Sequence, residues 1–396
     1  MDKAKDSSGL EKVPPLGAEG AGIYIHIPFC KQACHYCDFH FSTSMEKKET
    51  MVRALIKELE LRKSEFKDDN VETIYFGGGT PSVLEHKEIE RIINTVYENY
   101  NVSDNPEITL EANPDDLTEE KILELSQGPI NRLSIGIQSF FEEDLKLMNR
   151  AHNVEQAEKC LRLASRHFDN ISIDLIYGMP NMSVARWKKN IEKALSFNVP
   201  HISSYALTVE PKTALARFVE KELIVPATDE ETQEHFHVLY QMLLEAGYDC
   251  YEISNFGKPG YFSKNNSAYW QQKKYMGIGP SAHSFDGRRR GWNINNNPKY
   301  IKAIENGELP MEIEVLTTRD KYNEYIMTGL RTVWGVSLNR IQREYGGKYE
   351  EYLLLQSEKF RDQELLNLDG DILTTTQKGK FLADGIAADL FMINLS

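Results

Sequence analysis

Hydrophobic positions follow two periods over the first half of the chain. Short alternating or continuous apolar runs predict strands, and the amphipathic stretches between them predict helices. The six predicted strands cover residues 23–27, 73–76, 107–111, 132–137, 171–177 and 201–207. Six β/α units predict a parallel sheet covered by helices, with right-handed crossovers. This is two units fewer than a full TIM barrel, and periodicity alone does not separate a partial barrel from a doubly wound sheet.

The pattern changes after residue 211. A helical element over 228–247 precedes a segment rich in Asn, Gly and Tyr over 251–297. Helices are predicted over 319–333, 338–345 and 376–391, with a hairpin over 365–373 that turns at Asp369-Gly370. Helices followed by a hairpin resemble a winged-helix unit. We therefore expect a disordered leader (1–21), a partial barrel (22–211), an extension of its core (212–310) and a C-terminal domain (311–396).

Composition and charge narrow the function classes. The chain has 396 residues, of which 41% are apolar and 27% charged, enough to bury a large core. No apolar stretch has the length of a membrane span and no secretory signal precedes the first strand, so we expect a cytoplasmic protein. The formal net charge of −14 argues against a nucleic-acid partner. The C-terminal unit is then expected to act as a lid, a docking surface or a homodimer contact.

Three of the five cysteines lie directly after the first predicted strand, as Cys30, Cys34 and Cys37. Thiolates are soft ligands that select zinc, copper(I) or iron–sulfur clusters. The next cysteine is Cys160, so three thiolates would hold three corners of a cubane and leave the fourth iron to an exogenous ligand. A structural zinc site on a non-catalytic scaffold is the alternative.

The CxxxCxxC spacing, with Tyr36 before the last cysteine, resembles the radical S-adenosylmethionine (SAM) superfamily. The resemblance implies an open partial barrel, a [4Fe-4S] cluster, and SAM bound to the open iron, where a reduced cluster cleaves it to a deoxyadenosyl radical. The second strand ends in the glycine run 77–79 followed by Thr80, which resembles the GGGTP segment that holds the methionine end of SAM. Glycines there let backbone approach a ligand, although a tight turn would explain them as well.

The residues that end the strands resemble one branch of this superfamily, which contains oxygen-independent coproporphyrinogen III dehydrogenase and the HemW-like proteins. That resemblance assigns Cys30, Cys34 and Cys37 to the cluster. It assigns to SAM the residues Tyr24, Tyr36, Gly78, Gly79, Thr80, Glu111, Gln138, Arg150, Asp174 and Ala206. Taken singly, a strand-terminal Glu, Gln or Asp is more often a turn former than a ligand, so the assignment depends on their joint order.

Two members of the branch differ just after the third cysteine. The dehydrogenase has a further cysteine two residues on, where this chain has Phe39, and it carries a longer arm before the cluster loop. Both differences favour the HemW-like group, which is regarded as binding haem and passing it to acceptor proteins. The resemblance therefore implies a haem chaperone whose partners are haem and an acceptor that the sequence does not identify. A porphyrinogen dehydrogenase or another radical SAM enzyme is the alternative.

The HemW-like group has a His-Asn-x-x-Tyr-Trp segment associated with haem, which here begins with Asn265 and ends with Tyr269-Trp270. Asparagine is not a useful axial ligand for iron, so haem is held elsewhere or its binding is altered. His283, in the segment 277–283 that also resembles the group, is the substitute ligand that we consider, together with Tyr269 and Trp270. A hydrogen-bonded histidine in a glycine-rich turn is the structural alternative.

Overall fold

The structure, a computed structural model, describes residues 20–393. The predicted leader over 1–21 lies outside the described residues except for its last two positions, and Ala21 already begins the first strand. Within residues 20–393, none of the helices combines the length and apolar character needed to cross a bilayer.

All six predicted strands are present and each pairs in parallel with the next, which confirms the partial barrel. They are β1 (Ala21–Ile27), β2 (Val71–Gly78), β3 (Val102–Ala112), β4 (Arg132–Gln138), β5 (Ile171–Tyr177) and β6 (His201–Ala206). Successive side chains of each strand point to opposite faces of the sheet, and Ile23, Ile25 and Ile74 are among those that enter the hydrophobic core.

Amphipathic helices connect these strands and supply the other half of that core. They are α1 (Lys48–Leu61), α2 (His86–Asn99), α3 (Glu119–Gln127), α4 (Glu142–Leu147), α5 (Val154–Ala164) and α6 (Val184–Ser196), with a 3-10 turn over Pro81–Val83. Several begin where the sequence offers a capping side chain, as at Thr118, whose hydroxyl accepts from the Lys121 amide at 3.2 Å. Leu55, Ile92 and Trp187 are among their buried residues.

The central sheet is wider than the six-strand prediction. Its further strands are β7 (Asp249–Glu252), β8 (Asn255–Gly257), β9 (Lys274–Ile278), β10 (His283–Phe285), β11 (Arg289–Asn293) and β12 (Met311–Val315). The order is β12-β11-β10-β9-β1-β2-β3-β4-β5-β6-β8-β7. β9 is a seventh parallel strand, paired with β1, whereas the two ends of the sheet are antiparallel.

Four helices belong to the same region: α7 (Ala214–Glu220), α8 (Asp229–Glu245), α9 (Lys264–Trp270) and α10 (Asn297–Glu305). The helix α9 packs on β1, β2 and β9 and begins where Glu107 accepts the backbone amides of Lys264 and Asn265 at 3.1 and 3.0 Å. Asn265 is buried, and its side chain accepts from the Thr73 hydroxyl at 3.0 Å. The first residue of the segment compared with the haem motif is therefore packed against the sheet and is not available to a ligand.

The C-terminal region has its own hydrophobic core, which includes Tyr322, Ile326, Leu353 and Leu373. Its elements are α11 (Thr318–Leu330), β13 (Val336–Ser337), α12 (Leu338–Tyr345), α13 (Gly347–Asp362), β14 (Leu366–Asp369), β15 (Ile372–Thr375), α14 (Gln377–Lys380) and α15 (Ala383–Asp389). The hairpin is present as predicted, whereas the expected helix over 376–391 is two short helices and α13 was not predicted.

Candidate functional site

A cavity of about 410 Å³ lies at the carboxyl ends of β1 to β6, where a barrel of this kind collects functional side chains. The structure brings almost all of the predicted cluster and SAM residues together here. The cavity is lined by Cys30, Cys34, Tyr36, Cys37, Gly78, Gly79, Thr80, Glu111, Gln138, Arg150, Asp174 and Ala206. We call it the cofactor cavity below.

Tyr24 is the one predicted residue that does not line the cofactor cavity. Its ring lies 6.1 Å from that of Tyr75, and its hydroxyl lies 3.2 Å from Nδ1 of His26. Tyr75 in turn donates to the Glu111 carboxylate at 2.8 Å. Tyr24 therefore stands behind a residue of the cavity wall.

The loop that carries the three cysteines is fixed at both ends and in the middle. Its ends meet where the Cys30 amide donates to the Ser42 carbonyl at 3.1 Å. In the middle, the His35 amide donates to the Met148 carbonyl at 3.0 Å, and the Asn149 side chain donates to the Ala33 carbonyl at 2.7 Å. Hydrogen bonds within the protein thus hold the cysteine loop against the cavity.

The thiols are free and have hydrogen-bond donors directed at them. The Thr80 hydroxyl donates to Sγ of Cys30 at 3.3 Å, and Arg150 donates to Sγ of Cys34 at 3.3 Å. Burial raises the pKa of Cys30 and of Cys37 to about 11. Among the described residues, no three His, Cys, Asp or Glu side chains converge closely enough to hold a single metal ion.

Arg150 connects three parts of the cavity wall. Its Nη2 donates to Oδ1 of Asn113 at 2.6 Å and to the Gly136 carbonyl at 3.0 Å, while Nη1 lies 3.5 Å from the Tyr36 hydroxyl. Its buried Nε has no hydrogen-bond partner among the described residues. A buried donor without a protein partner is costly.

Two carboxyl groups, Glu111 and Asp174, form the floor of the cavity. Burial is the main cause of their altered acidity, raising the pKa of Glu111 to about 7 and that of Asp174 to about 6. Near neutral pH each can therefore accept or donate a hydrogen bond. This suits contacts with hydroxyl or ammonium groups of a ligand.

The glycine run has a structural cause that the sequence did not reveal. A Cβ at Gly79 would lie 2.6 Å from the Phe29 carbonyl oxygen and 2.7 Å from that of Ile27. The Gly79 amide donates to the Ile27 carbonyl at 2.9 Å and the Thr80 amide to the Phe29 carbonyl at 2.7 Å, and Gly78 has φ of +104°. Position 79 therefore has no room for a side chain, because the backbone that leads into the cysteine loop passes directly against it. Close approach of a ligand would be a second reason for glycine there.

Several lining residues were not predicted. They are Gln32, Asp38, Phe39, Phe41, Pro81, Ala112, Asn113, Ser134, Gly136, Ile176, Tyr205, Leu207, Thr208 and Glu210. Ser134 and Gly136 alternate with Gln138 along β4, so period-two counting back from Gln138 would have found them. Asn113 directly follows β3, two residues after Glu111, so the rule that functional side chains lie at strand ends would have found it as well.

A second cavity, of about 600 Å³, lies between α9, β9 to β12 and α11. Tyr269 and Trp270 line it, whereas His283 does not. His283 instead lies exposed on β10, with its ring 6.1 Å from that of Trp292. The three residues considered for haem therefore do not meet in one place. We call this space the interdomain cavity.

Comparison with known proteins agrees with this architecture. A family model described as the radical SAM superfamily matches residues 24–205, and one described as the HemN C-terminal domain matches 316–382. The solved structure of coproporphyrinogen III oxidase (HemN) from Escherichia coli aligns with a TM-score of 0.81 and 22% identity, covering 94% of this chain and 90% of that one. At that identity the alignment supports the fold alone.

Curated relatives are more similar in sequence. The chain is 33% identical over 374 residues to a protein named heme chaperone HemW from Lactococcus lactis, covering 92% of this chain and 97% of that protein. Proteins of the same name from Bacillus subtilis and Escherichia coli are each 31% identical, and the alignments cover 97% and 100% of those proteins. The chain therefore belongs to the HemW family of the radical SAM superfamily.

Proposed function

We propose that the protein is a cytoplasmic haem chaperone that carries a [4Fe-4S] cluster and SAM and passes haem to an acceptor protein. The observation that carries the proposal is that three free thiols and a set of polar side chains line one cavity. The names of its relatives support the chaperone role.

Cys30, Cys34 and Cys37 are the proposed cluster ligands. All three line the cofactor cavity, which fits a cubane whose thiolates bind three different irons. When bound, the reduced cluster supplies the electron for cleavage of the SAM sulfonium. Tetrahedral zinc on a non-catalytic scaffold would instead need ligands around one ion, and it predicts one zinc and no iron.

The remaining lining residues are the proposed SAM contacts. The guanidinium charge of Arg150 could attract the SAM carboxylate, while Glu111 and Asp174 could accept from ribose hydroxyls or the ammonium group. Backbone at Gly78 and Gly79 could also reach the methionine end. The other proposed contacts are Tyr36, Thr80, Gln138 and Ala206, with Tyr24 supporting the wall from behind.

Haem is proposed to bind in the interdomain cavity, against Tyr269 and Trp270. Its size lies within the range of roughly 300–1,000 Å³ that is usual for cofactor pockets. Met327 offers a thioether and Arg290 a guanidinium among its lining residues. His283, outside this cavity, is retained as a candidate ligand: although its side chain is exposed, partial desolvation and the nearby Arg290 charge lower its pKa, which favours the neutral imidazole that binds iron.

A radical SAM enzyme, including a coproporphyrinogen dehydrogenase, is the second candidate, because all three cysteines and most of the proposed SAM contacts line the cofactor cavity. The test is an anaerobic assay of the cluster-reconstituted protein with SAM, reductant and coproporphyrinogen III, with haemin titrated in parallel by Soret absorbance. We expect stoichiometric haem uptake without protoporphyrinogen. Decarboxylation without stable haem uptake would overturn the chaperone proposal, and a Cys34→Ala variant controls for cluster-independent turnover.

A further inference from the structure

A third cavity lies directly beneath the cofactor cavity, inside the barrel. It has a volume of about 40 Å³, and polar side chains line it. Glu111, Ser134, Asp174 and Tyr205 line both spaces and so form the partition between them. We call the lower space the inner cavity. A molecule in the inner cavity would therefore contact Glu111 and Asp174, the two carboxyl residues that also line the cofactor cavity.

Arg132, at the start of β4, lines the inner cavity from the far side. Its side chain is among the largest that are fully buried, with 2% of its surface exposed. Its one side-chain hydrogen bond among the described residues runs from Nη1 to Oδ1 of Asn170. A guanidinium has five N–H donors, and a buried cation that lacks partners for them is strongly unfavourable. Donors of Arg132 are therefore available to whatever fills the inner cavity.

Neighbouring residues of the inner cavity are already paired. The sheet register places Ser172 beside His201, and the Ser172 hydroxyl lies 2.7 Å from Nδ1 of that histidine. Nε2 of His201 lies 2.7 Å from the Tyr251 hydroxyl, and burial lowers the pKa of His201 well below its usual value. His201 is thus neutral and fixed, so Arg132 is the cation among the residues that line the inner cavity.

We propose that the inner cavity holds ordered water and that Arg132, acting through this water, positions the carboxyl groups of Asp174 and Glu111 for ligand binding in the cofactor cavity. The volume admits about one water molecule, and the site offers more than the two to four polar partners that a buried water needs. An anion is disfavoured because both carboxyl groups face the same space. The part of this inference that concerns SAM rests on the proposed function.

The charged and titratable groups around Asp174 come from several elements. Arg132 lies on β4, Glu111 on β3, His201 and Tyr205 on β6, and Arg150 follows α4. Both arginines lower the pKa of Asp174 against the effect of burial. Removal of the Arg132 charge should therefore keep Asp174 protonated at higher pH and change which hydrogen bonds it offers.

The test combines two measurements on the full-length protein. In the cluster-reconstituted protein, Arg132→Met should weaken SAM binding by about tenfold at pH 7 and move the pH dependence of the dissociation constant upward. Arg132→Lys, which keeps the charge, should restore most of the affinity, and the exposed Arg166→Met is the control. Wild-type affinity and an unchanged pH profile in Arg132→Met would overturn the proposal.

The second measurement does not depend on SAM. A double-mutant cycle of Arg132→Met and Asp174→Asn, followed by urea unfolding, should show coupling: the arginine substitution should cost less stability when Asp174 is already neutral. Additive effects would overturn the proposal. A high-resolution crystal structure should show water between Arg132 and Asp174, and an empty cavity would also overturn it. Coupling with no SAM binding even in the wild type would instead refute the proposed function while leaving the role of Arg132 intact.

Discussion

Nη1 of Arg150 lies 3.3 Å from Sγ of Cys34, so a residue that follows α4 is bonded directly to the cysteine loop that follows β1. The same guanidinium reaches Asn113 after β3 and the Gly136 carbonyl in β4. The cofactor cavity therefore depends on one side chain that links three separate strand ends. A substitution of Arg150 should therefore disturb several parts of the cavity wall at once.

Arg150→Met should impair cluster retention. The substitution keeps the apolar part of the side chain but removes the donors to Cys34, Asn113 and Gly136, which leaves buried acceptors unpaired. We expect reconstituted protein to hold less iron and sulfide than the wild type and to lose them faster under air. Arg162→Met on the exposed face of α5 is the matched control, and equal iron retention in both variants would contradict the prediction.

Cys34→Ala should abolish binding of the cluster, because three thiolates leave none to spare. The chain supplies its own control: Cys160 is buried in α5, away from the cofactor cavity, and Cys160→Ala should leave the iron content at the wild-type value. Iron, sulfide and zinc analysis of the three proteins checks this. One zinc per chain and no iron in the wild type would support the scaffold alternative.

Gly79→Ala should destabilise the protein, since the new methyl group would lie under 3 Å from two backbone carbonyl oxygens that cannot both move. Overpacking of this kind costs about 1–3 kcal/mol. Gly385→Ala should do the opposite: an added Cβ there meets nothing within 4 Å, and alanine is favoured over glycine in a helix such as α15 by up to about 1 kcal/mol. Urea unfolding of the two variants should shift the midpoint in opposite directions.

The cysteine loop and the strand ends could be predicted because their signals are local. Short spacings identify the loop, and parallel strands bring their carboxyl ends to one edge, so Glu111, Asp174 and Ala206 meet as expected. Features that depend on distant pairing could not be predicted. Nothing near Lys274 marks β9 as the parallel neighbour of β1, and nothing near Arg132 marks it as the cation beneath the cofactor cavity.

The surroundings of the residues considered for haem also depend on contacts between distant parts of the chain, which the sequence does not predict. Tyr269 and Trp270 are adjacent in sequence and share the interdomain cavity, but the wall opposite them comes from α11, about fifty residues later in the chain. His283 was chosen from a sequence resemblance, and strand pairing places it beside Trp292 instead. Helix α9 is short, and its packing against β1, β2 and β9 is fixed by hydrogen bonds to Glu107 and Thr73 that no local pattern encodes.

Glu111 should make the cluster-free protein less stable as pH rises. Burial raises the pKa of Glu111 from 4.5 to about 7, so between these values the folded state keeps a proton that the unfolded state has lost. The free energy of unfolding should therefore fall across that window, by about 3 kcal/mol at most. Glu111→Gln has no proton to lose and should show a smaller decline between pH 5 and pH 8. The exposed Glu192→Gln should keep the wild-type slope, and identical slopes in all three proteins would contradict the prediction.

Arg331 should prove to be a main link between the barrel and the C-terminal domain. Its guanidinium bonds the buried Glu252 at 2.8 Å and Asp384 at 2.6 Å, and it lies 5.0 Å from the centre of the Trp270 ring, which lines the interdomain cavity. Arg331→Met would leave Glu252 buried without its cation, a change that typically costs about 3–5 kcal/mol.

We therefore expect Arg331→Met to lower the denaturation midpoint, to expose the C-terminal domain to limited proteolysis, and to weaken haem uptake if haem occupies the interdomain cavity. The control is Arg343→Met, an exposed residue whose ion pair with Glu344 lies within one helix and should contribute less than about 1 kcal/mol. Loss of stability with unchanged haem affinity would separate the two roles. It would show that Arg331 holds the domains together and that haem binds outside the interdomain cavity. His283, which lies outside that cavity, would then be the next residue to replace.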